Sequence, residues 1–186
     1  MEKYIQNEKE NFKNIFSGSF LNFKVTATLN MHEVKNEKEV KKNEHLVEIL
    51  TPEAFGEGKG GDAEFGGLKV FLNSDYINED GSVTSKATLS HELGHTGGLV
   101  HPFEDINKEG QFKNGNAFSY PISSQIKGID KLNNFMSYPQ RYLNINTNEG
   151  MKKLYSIYEN PGKATASQLL TIMKNYLRNN LNYGNK

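Results

Sequence analysis

Apolar and polar positions alternate in several distinct rhythms along this chain. Over residues 2–16, Tyr4, Ile5, Phe12, Ile15 and Phe16 recur at helical spacing among charges, which predicts an amphipathic helix ended by Gly18. Residues 20–29 switch to a period of two, with Leu21, Phe23, Val25, Ala27 and Leu29 on one face, the pattern of a half-buried strand. The Lys-, Glu- and Asn-rich residues 32–44 read as a solvated connection or outer strand, with His32 and His45 as surface residues. A second apolar strand over 45–50 stops at Thr51-Pro52, and a third occupies 68–72.

Between them, 55–67 is rich in glycine. It fails the phosphate-loop pattern because Lys59 is followed by glycine, and it holds only one irregular copy of any calcium-binding repeat. Ser82, Thr84 or Ser85 can cap a helix running to about Gly97, after which 102–132 read as irregular. Two more helices close the chain. One spans 146–158 with Met151, Leu154, Tyr155 and Tyr158 on a stripe, ended by Asn160-Pro161-Gly162. The other opens on the capping box Thr165-x-x-Gln168 and carries Leu169, Leu170, Met173, Tyr176, Leu177 and Leu181. Both stripes read as core, and the order of elements predicts one α+β domain over 1–186.

Composition narrows the function classes. Lys plus Arg and Asp plus Glu both count 22, so the net charge of zero argues against nucleic acid or a membrane surface as the main partner. Without cysteine there are no disulfides and no thiol nucleophile. No run approaches the roughly 18 apolar residues of a membrane helix. The N-terminus lacks the apolar core of a signal peptide, which leaves three expectations: an export signal already removed, a domain cut from a larger protein, or a protein that stays inside the cell.

Candidate chemistry concentrates in 90–102, S-H-E-L-G-H-T-G-G-L-V-H-P. His91 and His95 lie four apart and project from one helical face, where two imidazoles can share a metal ion. Glu92 can reach a water at that ion without ligating it. Gly97 and Gly98 allow the chain to turn beneath the ion and return His101 as a third ligand, which leaves a fourth position open as in catalytic zinc sites. The plainer alternative is a buried helix with hydrogen-bonded core histidines. Asp75, Asn78 and Asp80 look faintly like a calcium loop, but they do not alternate and no glutamate closes them, so Ca2+ is possible yet unsupported.

The pattern H-E-x-x-H-x-x-G-x-x-H, completed by Gly98, followed by Asn133-Asn134-Phe135-Met136-Ser137-Tyr138-Pro139, resembles the metzincin zinc peptidases and their Met-turn. Pro102 after the third histidine and Tyr138 two after Met136 look most like the serralysin branch. The chain departs from that branch in lacking its calcium-binding repeats and in showing no strand ahead of the first helix.

The resemblance implies a zincin-like domain with a cleft between an N-terminal lobe (1–98) and a C-terminal lobe (99–186). It implies one catalytic Zn2+ on His91, His95 and His101, with Met136 as an apolar floor. Glu92 would be general base in peptide-bond hydrolysis, and Tyr138 an extra ligand that swings away to stabilise the oxyanion. Residues 61–65 would form an edge strand pairing with an extended substrate, and 140–144 would border the pocket for the residue after the cut. The implied partner is a protein or peptide substrate met by a secreted monomer without membrane insertion. Three alternatives stand beside this reading: a toxin-type peptidase domain of a larger polypeptide, a non-catalytic zinc-stabilised binding module, and a zinc hydrolase of non-peptide amides.

Overall fold

The computed structural model describes residues 1–20, 22–56, 58–103, 109–111, 117–119 and 129–178. Its first element, α1 (Glu2–Phe16), follows the predicted helical stripe and buries Tyr4, Glu8, Ile15 and Phe16. Glu8 is the unexpected member, a carboxyl on the apolar face with Oε2 buried and without a hydrogen-bond partner. Burial pushes it up from 4.5 to about 7, partly offset by a hydrogen bond from Asn11. A carboxyl whose folded-state pKa is raised contributes stability that is fully present below about pH 4.5 and lost as pH rises through about 7. Glu8→Gln should therefore gain on the parent across that window, reaching on the order of 3 kcal/mol above it, as read from urea midpoints at both ends.

After Ser17, β1 (Gly18–Phe20) pairs antiparallel with β2 (Phe23–Val25). The single strand expected over 20–29 is thus corrected. Only its first part joins a ladder, and Phe23, expected inward, is 72% exposed. Leu21 lies outside the described residues. The strand-like alternation of exposure that starts at Val25 continues to His32, but beyond β2 it pairs with no strand among the described residues.

The main sheet has three strands in the order β3-β5-β4, formed by β3 (Leu46–Leu50), β4 (Gly61–Ala63) and β5 (Lys69–Asn73). β3 runs parallel to central β5, and β4 lies antiparallel along the other edge. Alternation along β5 turns Val70 and Leu72 onto Tyr4 of α1 and Leu89 of α2 (Thr88–Thr96). Helix α2 starts later than expected and has no side-chain cap; its N-cap is Ala87. The residues ahead of it are committed elsewhere. Ile77 bridges Val83, Thr84 N–H donates to Tyr76 O, and Lys86 N–H donates to Tyr158 O.

The stretch expected to be irregular contains a short antiparallel pair, β6 (Glu109–Gln111) with β7 (Ala117–Ser119). Helix α3 (Asn148–Glu159) is capped by Thr147, whose side chain accepts from Gly150 N–H. Leu154 is buried, but Tyr155 is 56% exposed, which corrects its place in the core. Helix α4 (Ala166–Leu177) has the predicted capping box, with both Thr165 and Gln168 bonds formed. Its core face carries Gln168, Leu169 and Ile172. Leu170, Met173, Tyr176 and Leu177 are exposed, contrary to the core expected of them, and Leu181 lies outside the described residues. A helix apolar on most sides can bury only one face. Here a reciprocal amide pair between Gln168 and Asn134 selects that face.

A second core cluster joins both ends of the chain: Ile15, Phe16, Leu99, Phe135, Met136 and Ala164. Among the described residues, no helix is long and apolar enough to cross a membrane.

Candidate metal centre

Helix α2 places His91 and His95 one turn apart, and its C-terminus brings back the third histidine. Gly98 adopts φ +81°, the left-handed conformation that favours glycine. Around it Gly98 N–H donates to His95 O and Leu99 N–H to Gly94 O, the paired bonds of a Schellman motif. Leu99, fully buried, anchors the reversal, and His101 follows two residues later. Gly97 keeps a right-handed backbone, and its role is space, because a Cβ there would sit 2.9 Å from Ile172.

The three Nε2 atoms form a near-equilateral triangle: His91–His95 3.2 Å, His91–His101 3.2 Å and His95–His101 3.1 Å. Ring orientations are fixed from behind. His91 Nδ1 donates to Phe135 O at 2.9 Å, and His95 Nδ1 donates to Leu99 O at 2.9 Å. With those protons on Nδ1, both Nε2 atoms carry lone pairs, so their 3.2 Å approach is not a hydrogen bond. It fits two ligands of one cation, since nitrogens about 2.0–2.1 Å from a tetrahedral ion lie about 3.3–3.4 Å apart. Burial, then the neighbouring His95 and His101, holds His91 well below the usual imidazole range, keeping it in the neutral form a metal requires. Among the described residues, His91, His95 and His101 are the one group of three such side chains close enough to hold an ion.

Glu92 is buried on the adjacent side of α2, against β4. A Cβ on Gly61 would come within 2.9 Å of Glu92 Cγ, so glycine at that position gives the carboxyl its room. Burial, reinforced by Asp62 and opposed by Lys59, pushes Glu92 up to about 8; a cation on the triad favours its ionised form. β4 is the predicted edge strand, lying beside α2 with no strand partner on its outer edge among the described residues. A cavity of about 360 Å³ opens between β4 and the residues after Met136, lined by Glu92, Tyr76, Tyr158 and Lys59. Of residues 140–144, Gln140 lines it.

Met136 is fully buried beneath the triad's helix. A Cβ on Gly94 would meet Met136 Sδ at 2.5 Å, so the turn and the helix touch through a missing side chain. Asn134 organises the turn: its Oδ1 accepts from Met136 N–H, and its Nδ2 donates to Gln168 and to Lys163 O. Met136→Ala should leave the ligands in place and open a cavity below them, costing ~2–5 kcal/mol. An unchanged melting temperature would contradict this packing.

Tyr138 lies against the triad. Its ring stacks on His91 (5.3 Å, 16°) and tilts against His101 (4.6 Å). Two further residues, unmarked by any motif, complete this side. Phe103 stacks on His101 at 4.8 Å and 6°, and the Arg141 guanidinium lies 4.0 Å above the Phe103 ring. The sequence signals that could have found them are the proximity of Phe103 to His101 and of Arg141 to Tyr138.

The remaining candidates fall away from this centre. His32 is exposed 3.8 Å from Glu44. His45 is not the surface residue expected: its Nε2 is buried without a hydrogen-bond partner, and desolvation lowers its pKa. In the suspected calcium loop, Asp80 accepts from Ser82 within the turn and pairs with Lys3 of α1.

No family model, curated protein or solved structure matches this chain.

Proposed function

We propose that this chain is a zinc-dependent endopeptidase with a zincin-like fold of the metzincin type, closest to the serralysin branch. The observation that carries the reading is the triangle of three Nε2 atoms 3.1–3.2 Å apart, built on the spacing H-E-x-x-H-x-x-G-x-x-H. The chemistry of the donors, three neutral imidazoles, suits zinc better than calcium or magnesium, which take oxygen ligands.

Bound there, a zinc ion supplies Lewis acidity toward a carbonyl oxygen and toward water. The protein supplies the rest. The outer edge of β4 aligns an extended peptide by backbone pairing, across the cleft from Tyr138 and Pro139. A carboxylate oxygen of Glu92 accepts the proton of the attacking water and later returns it to the departing amine. The Tyr138 hydroxyl donates to the oxygen on which negative charge develops. Substrates are proteins or peptides reached by a monomeric, exported enzyme.

The direct test combines metal content with cleavage. The purified chain should hold one zinc ion, lose it on His101→Ala, and cut members of a diverse peptide pool only without chelator. Full zinc content in His101→Ala would refute the ligand set. A zinc-loaded chain that leaves every peptide intact would refute the peptidase reading and favour a binding module.

A further inference from the structure

We infer that α4 positions two metal ligands from behind: Gln168 fixes the orientation of His91, and Asn175 fixes that of His95. The inference deepens the proposed zinc site and rests on it for its consequence, although the histidine orientations themselves need no ion.

The first route starts on the buried face of α4. Gln168 is 1% exposed, and Asn134, which it meets, is 5% exposed. Gln168 Nε2 donates to Asn134 Oδ1 at 3.0 Å, and Asn134 Nδ2 donates back to Gln168 Oε1 at 3.2 Å. Gln168 Oε1 also accepts from Thr165 N–H, and Asn134 Nδ2 also donates to Lys163 O. Two buried amides paired in this way have one favourable arrangement, because any other leaves a donor or acceptor unanswered. Asn134 Oδ1 further accepts from Met136 N–H at 3.0 Å, which closes 134–136 into a turn. Phe135 lies inside that turn, and its carbonyl is the acceptor of His91 Nδ1–H at 2.9 Å. Gln168 thus reaches His91 through one side chain, one turn and one carbonyl.

The second route leaves α4 two turns further on. Asn175 Nδ2 donates to Gly97 O at 3.2 Å, within the reversal that ends α2. Ile172 packs on the same Gly97. The reversal carries Leu99, whose carbonyl accepts His95 Nδ1–H at 2.9 Å. Gln168, Ile172 and Asn175 follow at spacings of four and three, so they share one face of the helix. That face therefore secures both carbonyls on which the two ligands of α2 depend.

An imidazole whose far nitrogen loses its acceptor can rotate or exchange tautomer, and either change takes the Nε2 lone pair off the ion. Packing on α4 bears on the metal for that reason. The two links span 34 and 78 positions of sequence, so no local motif marks them.

Tautomers can be read from nitrogen NMR spectra of histidine-labelled, zinc-free chain at alkaline pH, and zinc affinity from competition with a chelator. In the parent, His91 and His95 should both carry the proton on Nδ1. Gln168→Met should mix the tautomers of His91 and spare His95. Asn175→Leu, similar in size but without a donor, should do the reverse. Each should weaken zinc binding by about tenfold or more. Thr165→Ala supplies the control. It removes the cap bond to Gln168 N–H and lowers the melting temperature, yet keeps the amide pair, so tautomers and zinc affinity should match the parent's. Asn175 is only half-buried, so its variant tests the second route even if Gln168→Met does not fold. Parent-like tautomers and zinc affinity in Asn175→Leu, or an equal loss in Thr165→Ala, would overturn the inference. A parent with the expected tautomers that takes up no zinc would instead overturn the zinc reading and leave the positioning of the histidines standing.

Discussion

Glu92→Ala should retain one zinc ion per chain and cleave peptides at least ~10²–10⁴-fold more slowly than the parent. The expectation rests on the separation of two tasks within one helical turn. His91 and His95 turn their Nε2 atoms toward His101, whereas Glu92 faces β4 and belongs to no ligand pair. Removing its carboxyl therefore leaves the triangle and its supports, Phe135 O and Leu99 O, as they are. What disappears is the group that holds a proton between attack and departure of the amine. Metal content and single-turnover cleavage should be measured on the same preparation. Cleavage at the parent rate would exclude Glu92 as the base; loss of zinc would instead show that the carboxyl contributes to holding the ion.

The histidine triad was readable in the sequence because helix periodicity and one left-handed glycine determine it locally. His91 and His95 need only a helix, and Gly98 needs only the C-terminal reversal that returns His101. The capping box at Thr165 and Gln168 was legible for the same reason, since its partners lie three residues apart. Long-range packing was not legible. Gly61 and Gly94 look like ordinary glycines until Glu92 and Met136 arrive from distant segments to occupy the space a Cβ would fill.

The apolar count of α4 gave the wrong burial because it weighs every Leu and Tyr alike. The buried face was chosen by polar Gln168, whose partner Asn134 is 34 positions away. Glu8 shows the converse, a charged residue type carried inside because its neighbours on α1 are apolar. The strand expected over 20–29 has the correct inward residues from Val25 onward, but beyond Val25 it pairs with no strand among the described residues. Periodicity reports which side chains turn inward, and it is silent about whether a partner strand is present.

Tyr138→Phe should keep the zinc and the fold while turnover falls by roughly 10²–10³ and KM changes little. The ring's place is set by packing that the substitution preserves. It stacks on His91, tilts against His101 and meets Phe103 at 5.5 Å, and Arg141 N–H donates to its carbonyl. Phenylalanine makes the same ring contacts and lacks only the hydroxyl. An interaction made when charge develops on the carbonyl oxygen affects the chemical step and not the binding of the intact peptide, which is why kcat should move alone. The Phe103–Arg141 stack supports His101 on the same side as Tyr138, so any loosening of the ligands would appear first as zinc loss. Zinc content equal to the parent's therefore isolates the hydroxyl. If Tyr138→Phe turned over as fast as the parent with its metal intact, Tyr138 would be a packing residue for His91, and the serralysin-like assignment would lose its main support. A fall in turnover accompanied by zinc loss would assign the phenol to holding the ion.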